Sequence, residues 1–192
     1  MPILTQRFDK ALSYASEVHR MQLRKGTDIP YLSHLMGVSS LVLEYGGDED
    51  QAIAGLLHDA AEDAGGDRRL QHIRMEFGDH VAALVADCTD SWADPKPAWR
   101  PRKEAYIASM AHKADRSLLV SLADKTHNSR AIVSDLNAIG DELWDRFTAS
   151  KTETIWYYRS MADIFEQRLG IIAHELGRCV RTMERHSAHG LG

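Results

Sequence analysis

Two histidines and two aspartates along this chain have the chemistry of a divalent-metal site: His34, the doublet His58-Asp59 in GLLHDAAED, and Asp124 in SLADKTHN. Two imidazoles and two carboxylates hold one cation and leave a coordination position open for water. Glu62 and Asp63 follow the doublet. On a continuous helix, Asp59, Glu62 and Asp63 stand at i, i+3 and i+4 and share a face. That sets a carboxylate pair beside the metal for the proton transfers of a hydrolysis. Taken singly, each residue reads as an ordinary polar group of a helix surface. The combination reads otherwise, because the doublet follows Ala54, Leu56 and Leu57, and Asp124 follows Leu118, Leu119, Val120, Leu122 and Ala123. Ionisable groups on apolar helices cost stability unless they are paired, and a metal pairs them.

The elements that must position these residues are helical. Apolar residues recur at helical spacing almost throughout, and no alternating run with Asn-Gly or Asp-Gly turns appears, so the fold class is all-α. Phe8, Leu12, Ala15 and Val18 form a first stripe running into Arg24-Lys25, and Leu35, Val38, Leu41 and Val42 a second that stops at Gly46-Gly47. Gly65-Gly66 should end the helix that carries the doublet, with Asp67 capping the next, and Gly78 should separate that one from a helix over Val81–Asp90. Ser150 and Glu153 make a capping box for a helix bearing Ile155, Tyr158, Met161, Ile164 and Phe165. A last helix with Ile171, Ile172, Leu176 and Val180 is expected to fray into HSAHGLG, leaving His186 and His189 as tail residues rather than ligands.

The segment SWADPKPAWRPRK is expected to be irregular, since three prolines exclude regular helix. It concentrates Lys96, Arg100, Arg102 and Lys103. As a lid beside a metal site it would bring cations to a diphosphate group, with Trp92 or Trp99 covering a base or simply packing. No Gly-rich phosphate loop exists, so phosphate must be held by metal and by Arg or Lys.

A chain of 192 residues buries a sizeable core in one domain, here 1–192, with the core over about 4–170 and the last helix and tail over 171–192. A formal net charge of −5 argues against general nucleic-acid binding. There is no run of apolar residues long enough for a membrane span, and MPILTQRFDK lacks the features of a signal peptide, which points to the cytoplasm. Cys88 and Cys179 belong to no CxxC pair and read as reduced thiols.

Four blocks in order resemble one family, the HD-domain phosphohydrolases, and within it the small alarmone hydrolases related to the hydrolase half of RelA/SpoT enzymes. RKGTDIPYLSH is similar to the family's arginine-lysine-glycine opening that ends in histidine, GLLHDAAED to its HD-x-x-ED block, FGDHVAALVADCT to its following helix, and LVSLADKTHNSRAI to its closing segment. The resemblance implies an HD-domain bundle of roughly 8–10 helices with the metal in a central cleft. It implies metal ligands His34, His58, Asp59 and Asp124, Glu62 and Asp63 as the acid/base pair, and Mn2+ as the usual ion, although mixed N/O ligands also suit Zn2+ or Fe2+. Arg24, Lys25 and Gly26 fall where the family contacts phosphate and base, and Asn128 where it contacts a ribose hydroxyl. The implied reaction removes the 3′-diphosphate of a (p)ppGpp-type nucleotide, giving GDP or GTP and pyrophosphate. The partner is then a small nucleotide, with no nucleic acid or membrane, and the protein a monomer or weak homodimer that only destroys alarmone. Ala131, where long members carry a hydroxyl residue, and Gly26 leave an adenosine analogue open. A nucleotidase or deoxynucleotide triphosphohydrolase would share the metal ligands, and a non-catalytic sensor would have lost one of them or the Glu62-Asp63 pair.

Overall fold

The computed structural model of the protein describes residues 4–93 and 95–187, with the backbone alone at 188 and 189. Among the described residues there are ten α-helices and three short 3-10 segments, so the class is all-α. The helices are α1 (Gln6–Val18), α2 (Leu32–Glu44), α3 (Glu49–Leu57), α4 (Ala60–Asp63), α5 (Gly66–Phe77), α6 (Asp79–Cys88), α7 (Trp99–Ser109), α8 (Asp115–Ile139), α9 (Lys151–Leu169) and α10 (His174–His189). No strand occurs among the described residues; Leu23 and Pro30 form an isolated antiparallel bridge. None of the helices is long and apolar enough to cross a membrane. The chain forms two compact units, one of residues 1–97 and 113–124, the other of 98–112 and 125–192.

In the first unit α2 and α3 make the most extensive pairing, and α3 also packs on α1 and α6. The α2 stripe of Leu35, Val38, Leu41 and Val42 is fully buried, as its spacing requires. Helix α3 begins at a capping box in which the Asp48 carboxylate accepts from the Gln51 N–H and the Gln51 side chain from the Asp48 N–H. The two helices approach at Gly55, where a Cβ would meet Ser39 Cα at 3.1 Å and Ser39 N at 3.2 Å. The Ser39 hydroxyl donates to Ala52 O at 2.9 Å across the same contact.

Several local expectations need correction. In α1 the fully buried residues are Ala11 and Ala15, while Phe8, Leu12 and Val18 are half-buried. The doublet does not lie within one helix, because α3 ends at Leu57 and α4 starts only at Ala60. Both residues of the doublet keep right-handed helical backbone angles across the break. Gly65, with φ of 124°, occupies the N-cap of α5, and Asp67 falls inside its first turn. Helix α6 runs two residues earlier than its pattern proposed, with Gly78 before it as expected.

In the second unit, α9 starts at the expected capping box of Ser150 and Glu153. It packs on α10, where Leu176, Val180 and Met183 are fully buried and Arg159 holds Glu184 through two hydrogen bonds. Ile171 is 78% exposed on the 3-10 segment Gly170–Ala173 and belongs to no core stripe. Helix α10 continues through the stretch expected to fray from His186, its backbone described as far as His189. The His189 side chain and residues 190–192 lie outside the described residues, as does Asp94.

Candidate metal centre

His34 sits in the first turn of α2, fully buried, and His58 at the C-cap of α3, 2% exposed. His58 Nδ1 lies 2.9 Å from Gly55 O. A carbonyl only accepts, so Nδ1 carries the proton and Nε2 keeps its lone pair. That Nε2 faces Asp59 Oδ2 at 2.9 Å and Asp124 Oδ1 at 3.6 Å. His34 Nε2 stands 3.3 Å from Asp124 Oδ1 and 3.8 Å from Asp59 Oδ2. Ligand atoms of His34, His58 and Asp59 all lie within 4.8 Å of one another. The His58 lone pair turned toward carboxylate oxygens is repelled unless a cation or a proton stands between them, so this donor set fits a divalent metal.

The electrostatics follow from burial and this crowding. Burial pushes the His34 imidazole down, only partly opposed by Asp124. Burial acts the same way on His58, but there Asp59 and Asp124 outweigh it and hold the imidazole well above its ordinary value. Asp59, although burial pushes it up, is held below the usual carboxylate range by His58. In metal-free protein a proton on His58 therefore replaces the cation. A raised folded-state pKa contributes stability below the unfolded value of about 6.5 and loses it as pH rises through the folded value. Metal-free protein should thus lose thermal stability as pH climbs above about 6.5. Metal-loaded protein should respond in the opposite sense, since bound metal requires unprotonated imidazoles. Parallel melting curves of chelated and loaded protein across that range check the inversion.

Glu62 and Asp63 both lie on the short helix α4. Glu62 accepts from Lys96 Nζ at 2.7 Å and from the Asp90 N–H at 3.2 Å. Burial and the Asp90 charge raise its carboxyl, with Lys96 opposing. Asp63 is raised by burial and by Asp59, and accepts from Gln22 Nε2 at 2.9 Å. Beside the two carboxylates lies a hollow of about 440 Å3 lined also by Gly65, Ser91, Trp92 and Lys96. Replacing Lys96 with Met should move the acidic limb of the kcat–pH profile upward, because Glu62 loses the cation that lowers it. The pair is half-exposed on the lysine side, so stability should change by less than about 1 kcal/mol. A pH–rate series with a melting curve tests both statements.

The structure brings His34, His58, Asp59, Asp124, Glu62, Asp63 and Lys96 into the first unit, and divides the remaining expected contacts. The proposed lid is not one irregular segment. Helix α7 begins at Trp99 and takes in Pro101, which a helix accepts in its first turn because N–H groups there have no intrahelical acceptor. Arg100 and Lys103 thereby belong to a helix of the second unit. The Arg100 guanidinium lies 3.4 Å over the Trp156 ring and pairs with Glu104 at 2.8 Å, and Lys103 lies over Tyr157 at 4.8 Å. Asn128 also belongs to the second unit, on α8. Arg24, half-buried, and Lys25, exposed, sit in a tight loop closed by Arg24 N–H to Ile29 O at 2.8 Å, where Gly26 has φ of 71°. Tyr31 was missed from the sequence as more than part of a motif. Its hydroxyl donates to Asp59 Oδ2 at 2.5 Å, which orients that carboxylate and holds the phenol above its usual pKa through burial and Asp59.

Comparison with known proteins bears on this arrangement. Residues 11–162 match the model of the HD domain family. Guanosine-3′,5′-bis(diphosphate) 3′-pyrophosphohydrolase MESH1 of Homo sapiens is 35% identical over 138 residues, which is 70% of this chain and 72% of that protein. A GTP pyrophosphokinase of Streptomyces antibioticus is 36% identical over 129 residues, 66% of this chain but only 15% of that longer protein. Among solved structures, one titled as a metazoan ortholog of SpoT that hydrolyzes ppGpp superposes with a TM-score of 0.78 at 26% identity, covering 94% of this chain and 97% of that one. The structure of lmo0812 from Listeria monocytogenes EGD-e gives a TM-score of 0.69 at 27% identity over 77% of this chain and 96% of that one.

Proposed function

Since the chain belongs to the HD domain family, we propose that it is a metal-dependent hydrolase that removes the 3′-diphosphate of (p)ppGpp-type nucleotides, giving GDP or GTP and pyrophosphate. The observation that carries this reading is the convergence of two imidazoles and two carboxylates beside a separate carboxylate pair, in a chain about one third identical to a protein named for that activity. His34, His58, Asp59 and Asp124 would hold the metal, for which we propose Mn2+, with Zn2+ or Fe2+ compatible with the same donors. When bound there, a divalent cation draws charge from a phosphate oxygen and makes water easier to deprotonate.

The chain's own groups do the rest. Glu62 and Asp63, whose carboxyls are raised by burial, act as the acid/base pair: one accepts the proton of the attacking water, and the departing 3′ oxygen is protonated in turn. Glu62 is raised beside Asp90 and Asp63 beside Asp59, so each carboxyl is set by its own neighbours. Tyr31 keeps Asp59 oriented, and Lys96 supplies a cation at the hollow's edge. Arg24, Lys25 and Gly26 are assigned to phosphate and base, Asn128 to the ribose, and Arg100 and Lys103 to outer phosphate contacts. A small nucleotide is then the sole partner, acting on a cytoplasmic monomer or weak homodimer. The decisive experiment offers metal-loaded protein guanosine tetraphosphate, its adenosine analogue, dGTP and a nucleoside monophosphate. Pyrophosphate released from the 3′-diphosphate nucleotides supports the reading; triphosphate from dGTP or phosphate from the monophosphate would replace it.

A further inference from the structure

We propose that Gln22, oriented by the buried imidazole of His19, is a positioning residue that fixes the Asp63 carboxylate for proton transfer. The proposal rests on the reading of Asp63 as part of the acid/base pair. His19 caps the C-terminus of α1 and is 2% exposed, its ring 5.4 Å from that of Tyr31. Its Nδ1 stands 2.6 Å from Gln22 Oε1, and Gln22 Nε2 donates to Asp63 Oδ2 at 2.9 Å. An ionised carboxylate only accepts, so the amide must turn its N–H toward Asp63 and its oxygen toward His19. That oxygen in turn needs a donor, which Nδ1–H provides. The far ring nitrogen, His19 Nε2, is buried without a hydrogen bond. An apolar side chain would fill this place without that cost, so the imidazole is explained by what Nδ1 does.

The backbone ties this relay to the metal ligands. The Tyr31 N–H donates to Gln22 O at 2.9 Å, and the Tyr31 hydroxyl donates to Asp59. One rung of the loop therefore holds Asp63 from Gln22 and Asp59 from Tyr31. A glutamine side chain alone is too free to aim a carboxylate. With both amide ends engaged, it leaves the second Asp63 oxygen directed for the proton it must receive.

Gln22→Met keeps length and packing while removing the amide, and the half-buried position tolerates it. With guanosine tetraphosphate we expect kcat to fall about 10–100-fold, the effect of losing an outer orienting partner. KM and metal content should stay unchanged, while the melting temperature falls modestly because the buried His19 ring loses its Nδ1 partner. His19→Phe should give part of the same loss, and none beyond it when combined with Gln22→Met. In the Asp63→Asn background, Gln22→Met should cost nothing further. An unchanged kcat, or a full loss persisting beside Asp63→Asn, would overturn the proposal. A substrate-free readout stands beside the kinetics: the side-chain amide resonances of Gln22 should shift in both Asp63→Asn and His19→Phe. Should wild-type protein turn over no 3′-diphosphate nucleotide, the reading of function fails, and these resonances alone decide the positioning: shifts support it, and their absence overturns it.

Discussion

Replacing His58 or Asp124 with alanine is expected to abolish metal binding and turnover together. Each contributes one of four donor atoms gathered from separate places in the chain, the first turn of α2, the end of α3, the turn after it and α8. Removing His58 leaves the Asp59 and Asp124 carboxylates with a single imidazole, one donor short of the set of four. Metal content should fall from about one ion per chain to near none. Lewis-acid assistance is worth several kcal/mol in the transition state, so turnover should fall by about three orders of magnitude or more. Elemental analysis and pyrophosphate release on the same preparations check both. Full turnover by chelated wild-type protein would contradict the role given to these side chains.

Glu62→Gln and Asp63→Asn are expected to part the metal from the chemistry. Each carboxylate has its own partners, Lys96 and the Asp90 N–H for one, Gln22 for the other. The amides keep shape and one acceptor oxygen while losing the ability to take a proton. Metal content should therefore hold while turnover drops by about two to four orders of magnitude, the range for general acid–base groups. The two losses should not multiply in the double variant, because groups that work as a unit are not additive. Loss of metal in both single variants would make them supports of the ligand set instead.

How much of this was legible in the sequence differs by kind of signal. Apolar spacing announced α2 residue by residue, and Ser150 with Glu153 announced the start of α9, because burial and capping are local rules that leave local marks. The break between α3 and α4 left none. HDAAED contains neither glycine nor proline, and both residues at the interruption keep right-handed helical angles, so no residue type marks it. Proline misled in the opposite direction, since at Pro101 the position within the helix matters more than the residue type. Gln22 and His19 were invisible for another reason. Their meaning lies in a partner 41 residues away from Gln22, and no spacing rule links a polar loop residue to a carboxylate on a distant helix.

The close crossing at Gly55 bears on the distance between the two histidines. His34 rides on α2 and His58 ends α3, so the span between the imidazoles is the spacing of two helices. A missing methyl group sets that spacing: a Cβ there would press on Ser39 backbone, forcing the neighbour to give by a few tenths of an ångström. That is as large as the difference between the bonds of about 2.0–2.1 Å that zinc and magnesium make and the bonds of about 2.3–2.6 Å that calcium makes. A metal held as proposed would thus feel the bite of this helix pair, at a residue whose carbonyl also holds His58 Nδ1.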